Sequence, residues 1–397
     1  MASQLMQHRM WDSMFFVSEI IMLILFAVGT EYHLGAEDKD ATQATVDGHN
    51  ALATHEITTF FAMWVDVHTM IFIGFGFLMV FLKTHAWSSV GFNFLIGAWA
   101  VQCGILFTGF FRGAFAEEGF DGHKIPLTLE SMVEGDFCAA AALITMGALL
   151  GKTTFAQLFV LVTLESVAYA INAIIVLEVL RCHDVGGAMT IHQFGAYFGL
   201  SATYFFQRNK AIEDKHEQNA GGYSNQMIAM VGTLFLFIYW PSFNSILASG
   251  VSQHLAIINT VLSITASCLV SSYVSRLWTG KFDMEVLLNS SLAGGVIMGA
   301  GCDIMVGNPA YPILCGGIVG VVSAIGFLWG QNWCKEKLQL HDTCGVQFLH
   351  GIPGILGAVV TGFAVHTANG DWPNDYQLNE LFPNIAEGRD MSEQTGY

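Results

Sequence analysis

Eleven stretches of about twenty or more mostly apolar residues run through this chain, and each is as long as a helix needs to be to cross a hydrocarbon core about 30 Å thick. They cover Met14–Tyr32, Ile57–Leu82, Val90–Phe111, Leu129–Leu150, Phe155–Leu180, Val185–Phe206, Asn225–Leu247, His254–Trp278, Glu285–Ile304, Tyr311–Gln331 and Gly345–His366. A membrane β-barrel would instead show short alternating segments, and none are present. Charged residues are 12% of the chain, about half the share usual for a soluble domain. The expected fold is an all-α polytopic membrane protein of about 11 transmembrane helices. No long polar linker divides it, so residues 1–370 read as one membrane domain and 371–397 as a polar tail.

A net charge of −17 speaks against a nucleic-acid partner, which would call for clustered Lys and Arg. The acid is concentrated in Glu31–Glu56, Glu117–Asp121 and the last 27 residues, which read as solvated segments. The eight cysteines include no C-x-x-C pair and fall mostly in apolar runs, where they read as small buried hydrophobes. The expectation is a non-enzyme, with no metal and no cofactor.

Lys and Arg set the orientation. With the N-terminus in the cytoplasm, ten of the fifteen fall on inside segments and five on outside ones. The first stretch has an upstream Arg and small residues at Ala27 and Gly29, as a signal peptide would, but its length favours a retained helix.

Two histidines then stand out. Asp184 lies eight residues before His192, and Asp342 eight before His350; a Gly lies seven after each His (Gly199, Gly357). Eight residues advance a helix about 12 Å, so an Asp at the membrane face puts its His near mid-bilayer. A titratable group at that depth marks a pathway by default. The two frames start from opposite faces, as in an inverted repeat with its substrate path at the midplane. Two neutral imidazoles meeting there can share one hydrogen bond and serve a small neutral polar molecule. A packed core histidine is the simpler reading of either one alone. Asp184 stands where it can cap the backbone at the start of its helix. Glu19, Asp66, Asp136 and Glu165 also lie within apolar stretches, and each must pair, face a cavity or take up a proton. Phe137 and Phe235 are candidate plugs among 31 phenylalanines.

Four runs carry a resemblance. They are DVHTMIFIGFGFLMVFL from Asp66, GAMTIHQFGAYFGL from Gly187, GTLFLFIYWPSFN from Gly232 and HGIPGILG from His350. Together they resemble the Rh (Rhesus) branch of the ammonium transporter family, over nearly the whole chain. The resemblance implies an inverted five-helix repeat plus an extra N-terminal helix, a homotrimer with one pore per subunit, and ammonia or ammonium as the substrate. It implies His192 and His350 as the pore histidines, Phe137 and Phe235 as gating rings, and Asp184 with Asp136 at the outer vestibule. It also implies a further helix after the one bearing the second histidine, where this sequence is polar.

The expected function is passive conduction of ammonia across a membrane, with the plasma membrane as the expected location. The alternatives are a channel for CO2 or another neutral gas, a non-conducting structural subunit, and a membrane haem protein using His55 and His68.

Overall fold

The computed structural model describes residues 2–32, 57–82, 85–115, 124–206 and 222–367. The helical segments are α1 (Ala2–Gly29), α2 (Ile57–Phe81), α3 (Ala86–Phe115), α4 (Leu129–Leu149), α5 (Phe155–Val179) and α6 (188–206). They continue with α7 (Tyr223–Ser245), α8 (Gly250–Thr279), α9 (Met284–Met298), α10 (Ala310–Leu338) and α11 (347–367). Two short strands, β1 (Thr30–Tyr32) and β2 (Ile125–Leu127), pair in parallel. The tail expected over 371–397 lies outside the described residues.

Eight of these segments are long and apolar enough to cross a membrane: α2, α3, α4, α5, α7, α8, α10 and α11. The other three expected spans depart from that pattern for local reasons. The apolar part of α1 is only Ser13–Gly29. The run of α6 contains His192 and Gln193, which lower its apolarity. The chain turns at Ser291–Leu292 and divides α9 into Met284–Ser290 and Ala293–Met298.

The centre of the bundle is α4, which is buried along nearly its whole length. Its alanines at 139–142 let α6 come close: a Cβ built on Gly195 would meet the backbone of Ala141, and one on Gly199 the backbone of Thr145. Small residues are what allow membrane helices such close approach. At its start, the Thr128 hydroxyl accepts from Ser131 N at 3.0 Å, and the Ser131 side chain accepts from Thr128 N at 2.9 Å, closing a capping box. Thr128→Ala is expected to cost about 1 kcal/mol of stability, read as a lower unfolding midpoint with flux unchanged.

Two helix pairs cross antiparallel. Along α2 and α7, Ser242 Oγ donates to Asp66, Gly74 packs on Leu236, Gly232 on Leu78, and Asn225 Nδ2 donates to Val80 O. As α2 numbers rise, α7 numbers fall. The same holds for α6 and α11: Ala188 meets Gly357, His192 meets His350, and Ala196 and Tyr197 meet Gly351. These segments are the first and fifth of each expected half, and their crossing is the geometry an inverted repeat requires.

Candidate pore site

Both histidines are positioned by one local device, used twice. Asp184 Oδ2 accepts from Thr190 N (2.8 Å) and Thr190 Oγ1 (2.8 Å), and the Met189 amide lies 3.1 Å away. Asp342 Oδ2 accepts from Gln347 N at 2.8 Å, five residues on, as Met189 is from Asp184. Three residues after each Asp stands a glycine with positive φ, Gly187 at 71° and Gly345 at 70°. That left-handed turn favours glycine, and it swings the chain into a helix whose first turn is the wide π form, 188–193 and 347–351. Such wide turns often accompany functional sites. Burial pushes both Asp carboxyls above the ordinary range, and the amide bonds they accept pull them partway back.

The rings meet in the interior. His192 Nδ1 and His350 Nδ1 are 3.1 Å apart, with ring planes within 14° of each other. Two facing nitrogens at that distance share one proton, so one imidazole donates and the other accepts. If both rings are neutral, the donor leaves its Nε2 bare and the acceptor carries its proton on Nε2. The pair therefore offers one acceptor and one donor at its outer edges. His192 Nε2 is buried with no hydrogen-bond partner among the described residues.

Aromatic rings line the approach. Phe137 and Phe243 lie with centroids 4.8 Å apart, and Phe243 is 5.7 Å from His192. Trp240 stacks on His192 at 5.5 Å, and beyond the pair Phe75 stacks on His350 at 6.1 Å. Below His350 is a cavity of about 20 Å³, walled by Phe75, Leu143, Asn289, Cys344 and Leu349 among others. That is room for one molecule the size of water.

The other expected site residues fall as follows. Phe137 is in the ring column. Phe235 is not: it is half-buried and pairs with Tyr239 at 6.0 Å, while Phe243 stands beside Phe137. Eight residues separate the two, which turns a helix about 80° past two full turns, so they cannot share a face. The buried stripe of α7 (Gly232, Leu236, Trp240, Phe243) was the signal that picks out Phe243, since Leu234 and Ile238 flank Phe235 on the exposed side. Asp136 does not face the pair. It is fully buried and lies 2.9 and 3.1 Å from His68 Nδ1, because neighbours on a helix point about 100° apart. That bond commits His68, and His55, the other histidine of the haem reading, lies outside the described residues. The other acids of the apolar stretches also pair: the half-buried Asp66 with Ser242 (2.6 Å), the buried Glu165 with Thr145 (2.6 Å) and the exposed Glu19 with Gln102 (3.3 Å).

Comparison with known proteins bears on the family and the fold. The family model described as Ammonium Transporter Family matches residues 40–389. Ammonium transporter Rh type B of Danio rerio is 40% identical over 382 residues, covering 96% of this chain and 81% of that protein. The protein of the same name from Pan troglodytes is 42% identical over 373 residues, covering 92% and 78%. Among solved structures, Nitrosomonas europaea Rh50, described as one of the Rhesus protein family of channels, superposes with a TM-score of 0.69 at 28% identity over 86% of each chain. A sensor Amt protein superposes at 0.66 with 18% identity, covering 87% and 92%, a likeness of fold alone.

Proposed function

The chain belongs to the ammonium transporter family, and we propose that it is a passive channel for ammonia whose selective step is made by His192 and His350. It is an integral membrane protein with at least eight helices able to span. The observation that carries the reading is the unpartnered Nε2 of His192, beside a hydrogen-bonded imidazole pair in a column of apolar rings. A buried polar atom without a partner costs about 1–3 kcal/mol. A transient partner supplied by the substrate gives that cost a purpose.

Ammonium arriving at the Asp184 end gives up its proton to water on that side, leaving ammonia to enter, because a bare ion among Phe137, Phe243 and Trp240 would lose its hydration without replacement. Ammonia then passes the Phe137–Phe243 rings. It donates to the bare Nε2 of the pair and accepts from the protonated one, exchanging water for imidazole. The small cavity beyond His350 holds one such molecule before it takes up a proton at the Asp342 end. Asp184 acts here through the cap that fixes the helix of His192, and Asp136 through its bond to His68. The eleven crossings, the cytoplasmic N-terminus and the plasma membrane belong to the same reading and rest on apolar length and charge bias. The homotrimer rests on the family resemblance.

The test is flux through purified protein in liposomes holding a pH dye. An inward ammonium gradient is expected to make the lumen alkaline well above the rate of empty liposomes, with no electrical current. A current equal to the flux would show the ion crossing and overturn the reading. Parallel CO2 flux, measured as acidification, ranks the two gases. CO2 has no N–H to donate, so it uses the pair less.

A further inference from the structure

Four acids are buried among the described residues: Asp136, Glu165, Asp184 and Asp303. Three of them meet nitrogen. Asp136 faces His68, Asp303 faces His183, and Asp184 accepts the amides of Met189 and Thr190. Nitrogen donors let a carboxylate keep its charge away from water. Glu165 is the exception. It stands near the middle of α5, 1% exposed, and its one hydrogen-bond partner among the described residues is the hydroxyl of Thr145, 2.6 Å from Oε1. Its Oε2 is buried with no partner among those residues. The next hydroxyl along, Ser166 Oγ, donates to Val162 O at 2.8 Å and is used within its own helix.

The Thr145 hydroxyl has a second neighbour. Its oxygen lies 2.9 Å from Gly195 O, on α6 three residues past His192. A threonine hydroxyl carries one proton, and a backbone carbonyl has none to give. With Glu165 as a carboxylate, three oxygens would share that single proton, and one of the two short contacts would hold only facing lone pairs. Oε2 would also carry part of the charge in a dry interior with no donor, a costly arrangement. A carboxylic acid removes both faults. Its O–H donates to Thr145 Oγ1, the Thr145 hydroxyl donates to Gly195 O, and Oε2 becomes an ordinary carbonyl oxygen. The 2.6 Å separation is normal for an O–H donor to oxygen.

We propose that Glu165 is carried as an uncharged carboxylic acid, and that it is a positioning residue for the helix of His192, acting through Thr145. The chain of bonds runs one way, from α5 through α4 to α6. It crosses the α4–α6 contact beside the point where a Cβ on Gly195 would meet Ala141 O at 2.7 Å. A threonine in a helix commonly turns its hydroxyl back onto its own preceding turn. Here the proton arriving from Glu165 leaves the Thr145 hydroxyl free to donate outward, and it ties α6 about one turn past the pore histidine. The neutral state also leaves the wall without a fixed negative charge. A carboxylate in α5, across Thr145 from the helix that bears His192, would draw cations toward a path lined by apolar rings. The assignment holds whichever molecule the pore carries.

The experiment is infrared spectroscopy of the purified protein at neutral pH, wild type against Glu165→Gln. The carbonyl stretch of a protonated carboxylic acid stands apart from the amide and carboxylate bands. The difference spectrum is expected to show one acid band lost and the carboxylate bands unchanged. Glutamine keeps the shape and gives an amide proton to Thr145, so flux and unfolding midpoint should match the wild type. Glu165→Leu has no proton to give, and its midpoint should fall by about 2 °C. In Thr145→Val the acid loses its acceptor, so its band should remain and move to higher frequency. Loss of a carboxylate band in Glu165→Gln, in place of the acid band, overturns the proposal. So does a Glu165→Gln chain that fails to fold or loses flux, since an uncharged side chain of the same shape would then not replace the native one. An acid band that stays unmoved in Thr145→Val overturns the positioning role.

Discussion

Replacing His192 and His350 together with leucine is expected to lower ammonia flux about thirtyfold while leaving the unfolding midpoint unchanged or raised. The flux follows from two lost hydrogen bonds to the molecule in transit, each worth about 1 kcal/mol net, since each 1.36 kcal/mol on a barrier is tenfold in rate. The stability follows from the same residues. Leucine is close to histidine in size and fits among Trp240, Phe243 and Phe75, the rings that already surround the pair. Removing both members of a buried hydrogen bond at once leaves no partner stranded, which is near neutral in energy. It also removes the unpartnered Nε2 of His192. Packed core histidines kept for stability would give the reverse result, a lower midpoint with flux intact. Flux in liposomes and thermal unfolding on one preparation separate the two. Flux unchanged at equal protein density would end the case for the pair as the selective element.

The second large effect concerns one missing side chain. Gly232→Ala is expected to prevent assembly of the bundle, at a cost above about 3 kcal/mol. A Cβ there would overlap the backbone nitrogen of Leu78, with Gly74 O at 2.6 Å and a Phe77 backbone carbon at 2.7 Å. All three are main-chain atoms, so no rotamer change can yield. The helices α2 and α7 would have to separate, and they carry Phe75, Trp240 and Phe243, which wall the histidine pair. The same substitution at Gly317 is the control. Its nearest neighbour is a Val270 methyl at 3.8 Å, and alanine in place of a mid-helix glycine is worth up to about 1 kcal/mol in helix propensity. Gly317→Ala should keep or raise the midpoint, and Gly232→Ala should yield no monodisperse peak on size exclusion. A well-folded Gly232→Ala would refute the close crossing.

The spacing of Asp184 to His192 and of Asp342 to His350 was legible because helical rise is constant, so distance along the sequence converts to depth. The acids within apolar stretches were legible as needing partners, but not which ones: Asp66 finds Ser242 and Asp136 finds His68 across 176 and 68 positions. Span length converted less well. It marks where a helix can cross, yet α9 breaks at Ser291–Leu292, where the polar run Asn289-Ser290-Ser291 interrupts the apolar stretch and the backbone turns. The second ring was misread as Phe235, because in a chain with 31 phenylalanines identity says little and only the face of the helix decides.

By itself the sequence determined that this chain lives in a bilayer, that it carries two matched frames, and which two histidines they hold. Those are properties of local repetition: apolar length, an Asp eight residues before each His with a Gly seven after it, and a fixed rise per residue. Only the tertiary structure decided that the imidazoles meet at 3.1 Å, that Phe243 rather than Phe235 stands over them, and that Asp136 meets His68 instead of the pair. Each of those depends on contacts between helices far apart in the chain. Contacts of that kind follow from packing and from which small residues let two backbones touch, and they leave no mark in the periodicity of either helix alone.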